Sequence, residues 1–307
     1  MTAVLERPGL IIIGPGRSGT TALFEAMNRH PDIAGSKVKE TFYFTRRTIA
    51  FSNVNNSSIN EYRELFFDEG TVTLEATPAY FLGGKQVAKN IDSELENYAV
   101  ICILRDPIQR FYSLYQHVKS KVIFDADLSI DDFISLSRSV TMEQLKWDEN
   151  ALHFSGKLES DYCFLIKEWL KVIKKENFYI LDYDDLGNVE YLNKELEKVF
   201  SNVGITHIPF ANLGKTNQSS KYRSMTLQRF VQKLNMRMEP FFNKFPLAKR
   251  AFRMVYIYTN GNSRAGISAY EKKAIESYID VDFLELKILL EREGYEVPKW
   301  LSRKVND

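Results

Sequence analysis

Leu10-Ile11-Ile12-Ile13-Gly14-Pro15-Gly16-Arg17-Ser18-Gly19-Thr20-Thr21 is the stretch on which the fold turns. A short, mostly β-branched apolar run reads as a buried strand, and the glycines and proline stop it at once. Apolar spacing over 20–29 then predicts a helix. A glycine-rich turn from strand to helix leaves backbone N–H groups pointing into one concavity, and the helix N-terminus adds partial positive charge there. Arg17 supplies a full charge at the rim, while Thr20 and Thr21 offer hydroxyls to phosphate oxygens. The plain alternative is a tight turn that uses its glycines for geometry alone.

Working outward, further β-branched runs at 71–75, 99–104 and 178–182 join the one at 10–14, with 32–35 as a weaker fifth. Helical patterns at 107–119, 158–174, 189–203 and 270–292 alternate with them. This order predicts βαβ units around a central, five-stranded parallel sheet flanked by helices, an α/β fold in three layers. No repeat or Ser/Gly/Pro-rich linker divides the chain, so one domain over 1–307 is expected. Residues 51–60 are polar and Asn-rich and read as a surface loop, as do 211–224. The stretch 225–264, rich in Phe, Met, Lys and Arg, is either a helical insertion beside the substrate or a helical flap.

Composition narrows the function classes. The 307 residues carry 41 Lys and Arg against 40 Asp and Glu, which argues against a general binder of nucleic acid but leaves room for a local basic cleft. With 44% apolar and 26% charged residues, disorder, collagen and coiled coil are excluded for the whole. No segment approaches 18 consecutive apolar residues, so no integral membrane segment is expected. Cys102 and Cys163, both inside apolar runs, suit buried thiols in a reducing compartment. A cytoplasmic location is expected.

The Gly14-x4-Gly19 spacing is similar to the nucleoside triphosphate P-loop, but that motif needs lysine after its second glycine, where this chain has Thr20. The basic residue sits earlier, at Arg17, which suits a nucleotide lacking a γ-phosphate. A second candidate anion site follows the run 100–104: Arg105-Asp106-Pro107, with Asp106 as N-cap and Pro107 in the first helical turn. Arg105 stands where open α/β sheets bind ligands, at a strand's carboxyl end. Ser113, two turns into the helix, falls on the same side.

Together, the two motifs resemble the sulfotransferase family that uses 3′-phosphoadenosine 5′-phosphosulfate. In that family the first loop holds the 5′-phosphosulfate and an Arg…Ser pair holds the 3′-phosphate. The resemblance implies donor binding by Gly16, Arg17, Ser18, Gly19, Thr20 and Thr21, and by Arg105 and Ser113. Lys39-Glu40-Thr41-Phe42-Tyr43-Phe44 looks like the segment carrying the catalytic glutamate in heparan-sulfate-type members. Glu75-Ala76-Thr77-Pro78-Ala79-Tyr80-Phe81 is similar to another of their segments, and 113–117 to the N-deacetylase/N-sulfotransferase branch. Where the carbohydrate enzymes have a lysine, however, this chain has Ala76; Lys37, Lys39 and Lys85 are the candidates to compensate.

The resemblance implies sulfuryl transfer to a hydroxyl, less readily an amine, of a carbohydrate, lipid or carrier-bound acceptor. Glu40 is then the general base, Arg17 neutralises the departing phosphate, and adenosine 3′,5′-bisphosphate is the product. His117 is a second proton-handling candidate, and Lys221, Tyr222 and Arg223 are candidate clamps over the 3′-phosphate. No metal is expected, because the donor has no β,γ-diphosphate for Mg²⁺ to bridge. Trp169 and Tyr162 read as core. Two rival readings are a small-molecule P-loop kinase in which the run 178–182 ends in a metal-binding aspartate, and a non-catalytic nucleotide-binding module.

Overall fold

The computed structural model describes residues 7–45, 58–67, 70–121, 128–210, 221–222, 261–262 and 266–306. The first half runs β1 (Gly9–Gly14), α1 (Thr20–Met27), β2 (Ile33–Gly35), α2 (Ile59–Glu64), β3 (Val72–Ala76), α3 (Tyr80–Glu94), β4 (Tyr98–Leu104) and α4 (Pro107–Lys121). Then come α5 (Ile130–Arg138), α6 (Tyr162–Leu170), β5 (Phe178–Asp182), α7 (Val189–Val203), β6 (Lys221–Tyr222) and β7 (Gly261–Asn262). The chain closes with α8 (Ala269–Ile279), α9 (Phe283–Arg292) and α10 (Lys299–Asn306).

Five strands form one parallel sheet in the order β2-β3-β1-β4-β5. The weak fifth strand expected at 32–35 is therefore present as β2, at the sheet's edge. Both faces are covered, which is why the strands read as unbroken apolar runs rather than alternating ones. Leu10 and Ile12 of β1, with Ala99, Ile101 and Ile103 of β4, pack with Leu23 and Met27 of α1 and Leu196 and Phe200 of α7. Ile11, Ile13, Val100, Cys102 and Leu104 point the other way, into a larger core with Val87, Phe111, Trp169 and Leu286. The three-layer α/β architecture is as the pattern of runs predicts.

Several boundaries differ from expectation, each for a capping reason. The single helix expected over 158–174 is a 3₁₀ turn at Leu158–Ser160 followed by α6, because the Asp161 side chain accepts from the Phe164 amide and starts a new helix. The helix expected over 270–292 is two: Asp280 is left-handed (φ 50°), and Asp282 caps α9 through the Glu285 amide. The loop expected at 51–60 is described only from residue 58, and there it is the start of α2. Ser58 and Glu61 form a reciprocal capping box. A second such box, Ser129 with Asp132, opens α5, which has no counterpart in the expected helices.

Residues 221–222 and 261–262 form a short antiparallel pair, so the loop expected over 211–224 contains a strand. The rest of that loop, Arg223 and the insertion expected over 225–264 otherwise lie outside the described residues. Among the described residues, no helix is long and apolar enough to cross a membrane.

Candidate functional site

Adjacent central strands β1 and β4 deliver their carboxyl ends to one place, and the loops that follow them carry the two predicted anion motifs. Open α/β sheets place ligand crevices there. Gly19, the residue before α1, is left-handed (φ 84°), and a Cβ on it would lie 3.0 Å from Leu186 Cδ1 and 3.3 Å from the Tyr183 ring. Only glycine meets both conditions without strain. Because Gly19 has no side chain, α1 has no side-chain cap, and its first turn holds no acidic residue. The first amides of the helix are thus left for an outside acceptor. Ser18 is buried, and its hydroxyl has no hydrogen-bond partner among the described residues. Thr20 is buried and Thr21 half-buried beside it.

The two motifs meet. Arg105 donates from Nη1 to the Arg17 carbonyl at 2.8 Å, and its guanidinium lies over the Tyr183 ring, 4.3 Å from the centroid. Arg17 itself is left-handed (φ 67°), and its Nε donates to Ser113 Oγ at 3.4 Å. Asp106 caps α4 as expected, accepting from the Ile108 and Gln109 amides at 2.8 and 3.2 Å. The Tyr162 hydroxyl donates to the Arg105 carbonyl at 2.9 Å, so this core ring also fixes the arginine's backbone. Trp169 is core, with Nε1 bonded to the Phe81 carbonyl at 3.0 Å. His117 lies one turn past Ser113 on α4, on the same face and half-buried.

Gly16 is engaged elsewhere. Its amide donates to Glu159 Oε2 at 3.1 Å, and the same oxygen accepts from Arg110 Nη1 at 2.8 Å. Arg110 is fully buried; its Nη2 donates to Ser160 Oγ at 2.6 Å and to the Gly156 carbonyl, while Ser155 Oγ donates to Glu159 Oε1 at 3.0 Å. A carboxylate therefore already occupies one amide of the anion loop, from behind. This brace escaped the sequence reading, although a second arginine in Arg105-Asp106-Pro107-Ile108-Gln109-Arg110, on the apolar side of a helix, was a signal for a buried acidic partner.

Glu40 sits on the short segment between β2 and the 3₁₀ turn at Tyr43–Thr45. Its carboxylate pairs with Lys39 Nζ at 2.9 Å and is 42% exposed, open enough to meet an acceptor. Glu40 and Phe42 are both left-handed, at φ 65° and 54°. Directly behind them, the fully buried Glu75 receives hydroxyl hydrogen bonds from Thr41, Thr77, Tyr62 and Tyr80. Burial pushes its carboxyl above the usual range, against the pull of those donors. Ala76 is buried on the opposite face of β3, among apolar neighbours. Of the three lysines that were candidates to compensate, Lys39 is the one paired with Glu40. Lys37 donates to the Glu64 carbonyl at 2.9 Å, and Lys85 lies exposed on α3.

Lys221 and Tyr222 have a described backbone only, paired with Asn262 and Gly261. Asp182, the aspartate a kinase reading would assign to metal, is buried and spends its carboxylate on the Lys299 and Asp184 amides at 2.9 and 3.0 Å. Among the described residues no group of three or more His, Cys, Asp or Glu is arranged to hold a metal.

Comparison with known proteins follows the same outline. A family model described as a sulfotransferase domain matches residues 7–255. The bifunctional heparan sulfate N-deacetylase/N-sulfotransferase 1 of Caenorhabditis briggsae is 26% identical over 202 residues, 64% of this chain and 22% of that protein. The heparan sulfate glucosamine 3-O-sulfotransferase 5 of Mus musculus is 28% identical over 214 residues, 65% of this chain and 55% of its own length. The similarity thus spans about a fifth and about half of those relatives. Among solved structures, a sulfotransferase from Alicyclobacillus acidocaldarius superposes with a TM-score of 0.58 at 16% identity, over 77% of this chain and 93% of that one. At that identity the likeness speaks for the fold alone.

Proposed function

The chain belongs to the sulfotransferase domain family, and from that premise we propose that it moves a sulfuryl group from 3′-phosphoadenosine 5′-phosphosulfate to a hydroxyl of a carbohydrate, lipid or carrier-bound acceptor, with Glu40 as general base. The carrying observation is the junction of the two anion motifs, with Arg105 2.8 Å from the Arg17 carbonyl and Arg17 3.4 Å from Ser113. The residues suit a nucleotide phosphorylated at both ends. An uncapped helix start, an unpartnered buried Ser18 hydroxyl and Arg17 serve one phosphate; Arg105 and Ser113 serve the other.

In this reading Glu40 takes the acceptor's proton as the acceptor oxygen bonds to sulfur. Arg17 and the amides at the start of α1 stabilise charge on the departing 5′-phosphate oxygen as its bond to sulfur breaks. Preorganised positive charge of this kind is usually the largest catalytic contribution. Lys39 supplies a cation beside the base, with Nζ 2.9 Å from the Glu40 carboxylate. Arg17→Ala should accordingly lower turnover by about 10²-fold, the typical cost of one such donor, in an assay of adenosine 3′,5′-bisphosphate release from the donor. A loss confined to KM would instead leave Arg17 with uniform binding only.

A thermal-shift titration tests the assignment. Adenosine 3′,5′-bisphosphate should stabilise the protein by about 2.7 kcal/mol at a hundred times its Kd, and ATP with magnesium should do far less. Arg105→Ala should weaken the bisphosphate by about 10–100-fold, the worth of a charge-assisted hydrogen bond of about 1.5–3 kcal/mol. Magnesium-dependent ATP turnover would establish the kinase reading, and unchanged bisphosphate affinity in Arg105→Ala would remove the 3′-phosphate role.

A further inference from the structure

The segment that carries Glu40 is held by hydrogen bonds that run from amide to hydroxyl to carboxylate, with one lateral contact, Thr41 Oγ1 to the Tyr80 hydroxyl at 3.0 Å, in which either could donate. Three successive amides donate to hydroxyls: Phe42 N–H to Thr77 Oγ1 at 3.4 Å, Tyr43 N–H to Thr41 Oγ1 at 3.3 Å and Phe44 N–H to the Tyr80 hydroxyl at 3.2 Å. Each of those hydroxyls donates a hydrogen bond to Glu75: Thr41 and Thr77, the latter at 3.3 Å, to Oε2, and Tyr80 at 3.1 and 3.2 Å to both oxygens. Tyr62 completes the shell at 2.7 Å on Oε1. An ionised carboxylate only accepts, so it forces every hydroxyl around it to donate inward and to keep its lone pairs for the amides. Among the described residues, no cation is bonded to Glu75. A buried carboxylate without one is costly, and burial indeed raises its pKa.

That cost coincides with a second one. Glu40 and Phe42 flank Thr41 in the left-handed region, where a non-glycine residue is strained and persists only if its surroundings over-determine it. We propose that Glu75 is a positioning residue for the reaction: through Thr41 it locks the left-handed backbone at Glu40 and so fixes where the base stands. This rests on Glu40 being the base. Glu75 has no part in binding the nucleotide, whose proposed contacts come from the loops after β1 and β4.

The test is a double-mutant cycle read as adenosine 3′,5′-bisphosphate release from the donor, with chemically desulfated heparan sulfate as the acceptor probe. Glu75→Gln keeps the shape but places an NH₂ donor against hydroxyls that must themselves donate. Thr41→Val removes the link and Thr41→Ser retains it. Glu75→Gln and Thr41→Val should each lower kcat by about 10–100-fold, since misplacement of a reacting group by about 1 Å costs up to about 10²-fold. KM for the donor and bisphosphate affinity should stay within twofold, and Thr41→Ser should restore the rate. In a Glu40→Gln background the same changes should alter the residual rate less than twofold, because nothing is left to position. Should Glu75→Gln fail to fold, the Thr41 pair carries the cycle alone. If Glu40→Gln slows turnover but Thr41→Val does not, or if the losses add, the inference is overturned and the base stands. If Glu40→Gln leaves turnover intact, the base assignment itself fails and this inference with it.

Discussion

Glu40→Gln is expected to turn over about 10²–10⁴-fold more slowly than the wild-type chain, the usual worth of a positioned general base, while binding adenosine 3′,5′-bisphosphate unchanged. The substitution isolates proton transfer. Glutamine has the same shape, can still accept from Lys39 at the position now 2.9 Å away, and meets the left-handed φ of 65° on the same terms as glutamate. The backbone lock through Thr41 and Glu75 does not involve the side chain at position 40, so the segment should stay in place. Calorimetry with the bisphosphate and donor turnover with a polysaccharide probe separate the two effects. Turnover within about threefold of wild type would remove Glu40 from the base role, whereas the non-catalytic module predicts no donor turnover in either form and a biological function that survives this variant. A larger fall with His117→Ala than with Glu40→Gln would transfer the proton to the imidazole on α4, one turn past Ser113.

What could be read in the sequence, and what could not, divides along contact distance. Arg17, Arg105 and Ser113 were legible because each stands at a fixed offset from a strand end, and parallel packing of β1 against β4 brings those ends together without further information. Glu159 was not. It pairs with Arg110 from 49 positions away and lies in a 3₁₀ turn that apolar spacing merges into the helix after it. The Glu75 shell was half visible. Its Glu75-Ala76-Thr77-Pro78-Ala79-Tyr80 stretch resembles a family segment, but the hydroxyls from Thr41 and Tyr62 arrive from separate elements that only the fold brings near. Tyr183 escaped for the same reason: it stacks on Arg105 and closes the space beside Gly19 because β5 lies next to β4. Helix ends were misjudged where one polar residue, Asp161 or Asp282, restarts a helix inside a continuous apolar pattern.

Arg110→Met should be the most destabilising single change near the site. Its guanidinium is wholly buried and ion-paired with Glu159, itself buried, at 2.8 Å. Removing one partner of such a pair leaves an uncompensated charge, at a cost of about 3–5 kcal/mol. At roughly 2 °C per kcal/mol for a domain of more than about 150 residues, Tm should fall by about 6–10 °C. Lost packing alone would predict the same sign, so the second replacement decides. In Arg110→Met with Glu159→Met the lone charge is gone, and apolar replacement of a whole buried pair is often neutral, so most of the lost Tm should return. Nucleotide affinity should not return with it. The Gly16 amide, 3.1 Å from Glu159 Oε2, then has no acceptor behind it and is free to turn, loosening the loop that Arg17 and Ser18 share. Recovery of Tm without recovery of bisphosphate affinity would identify the pair as a brace for the anion loop. Recovery of both would make it a device for stability only, and recovery of neither would show that Met cannot fill the space.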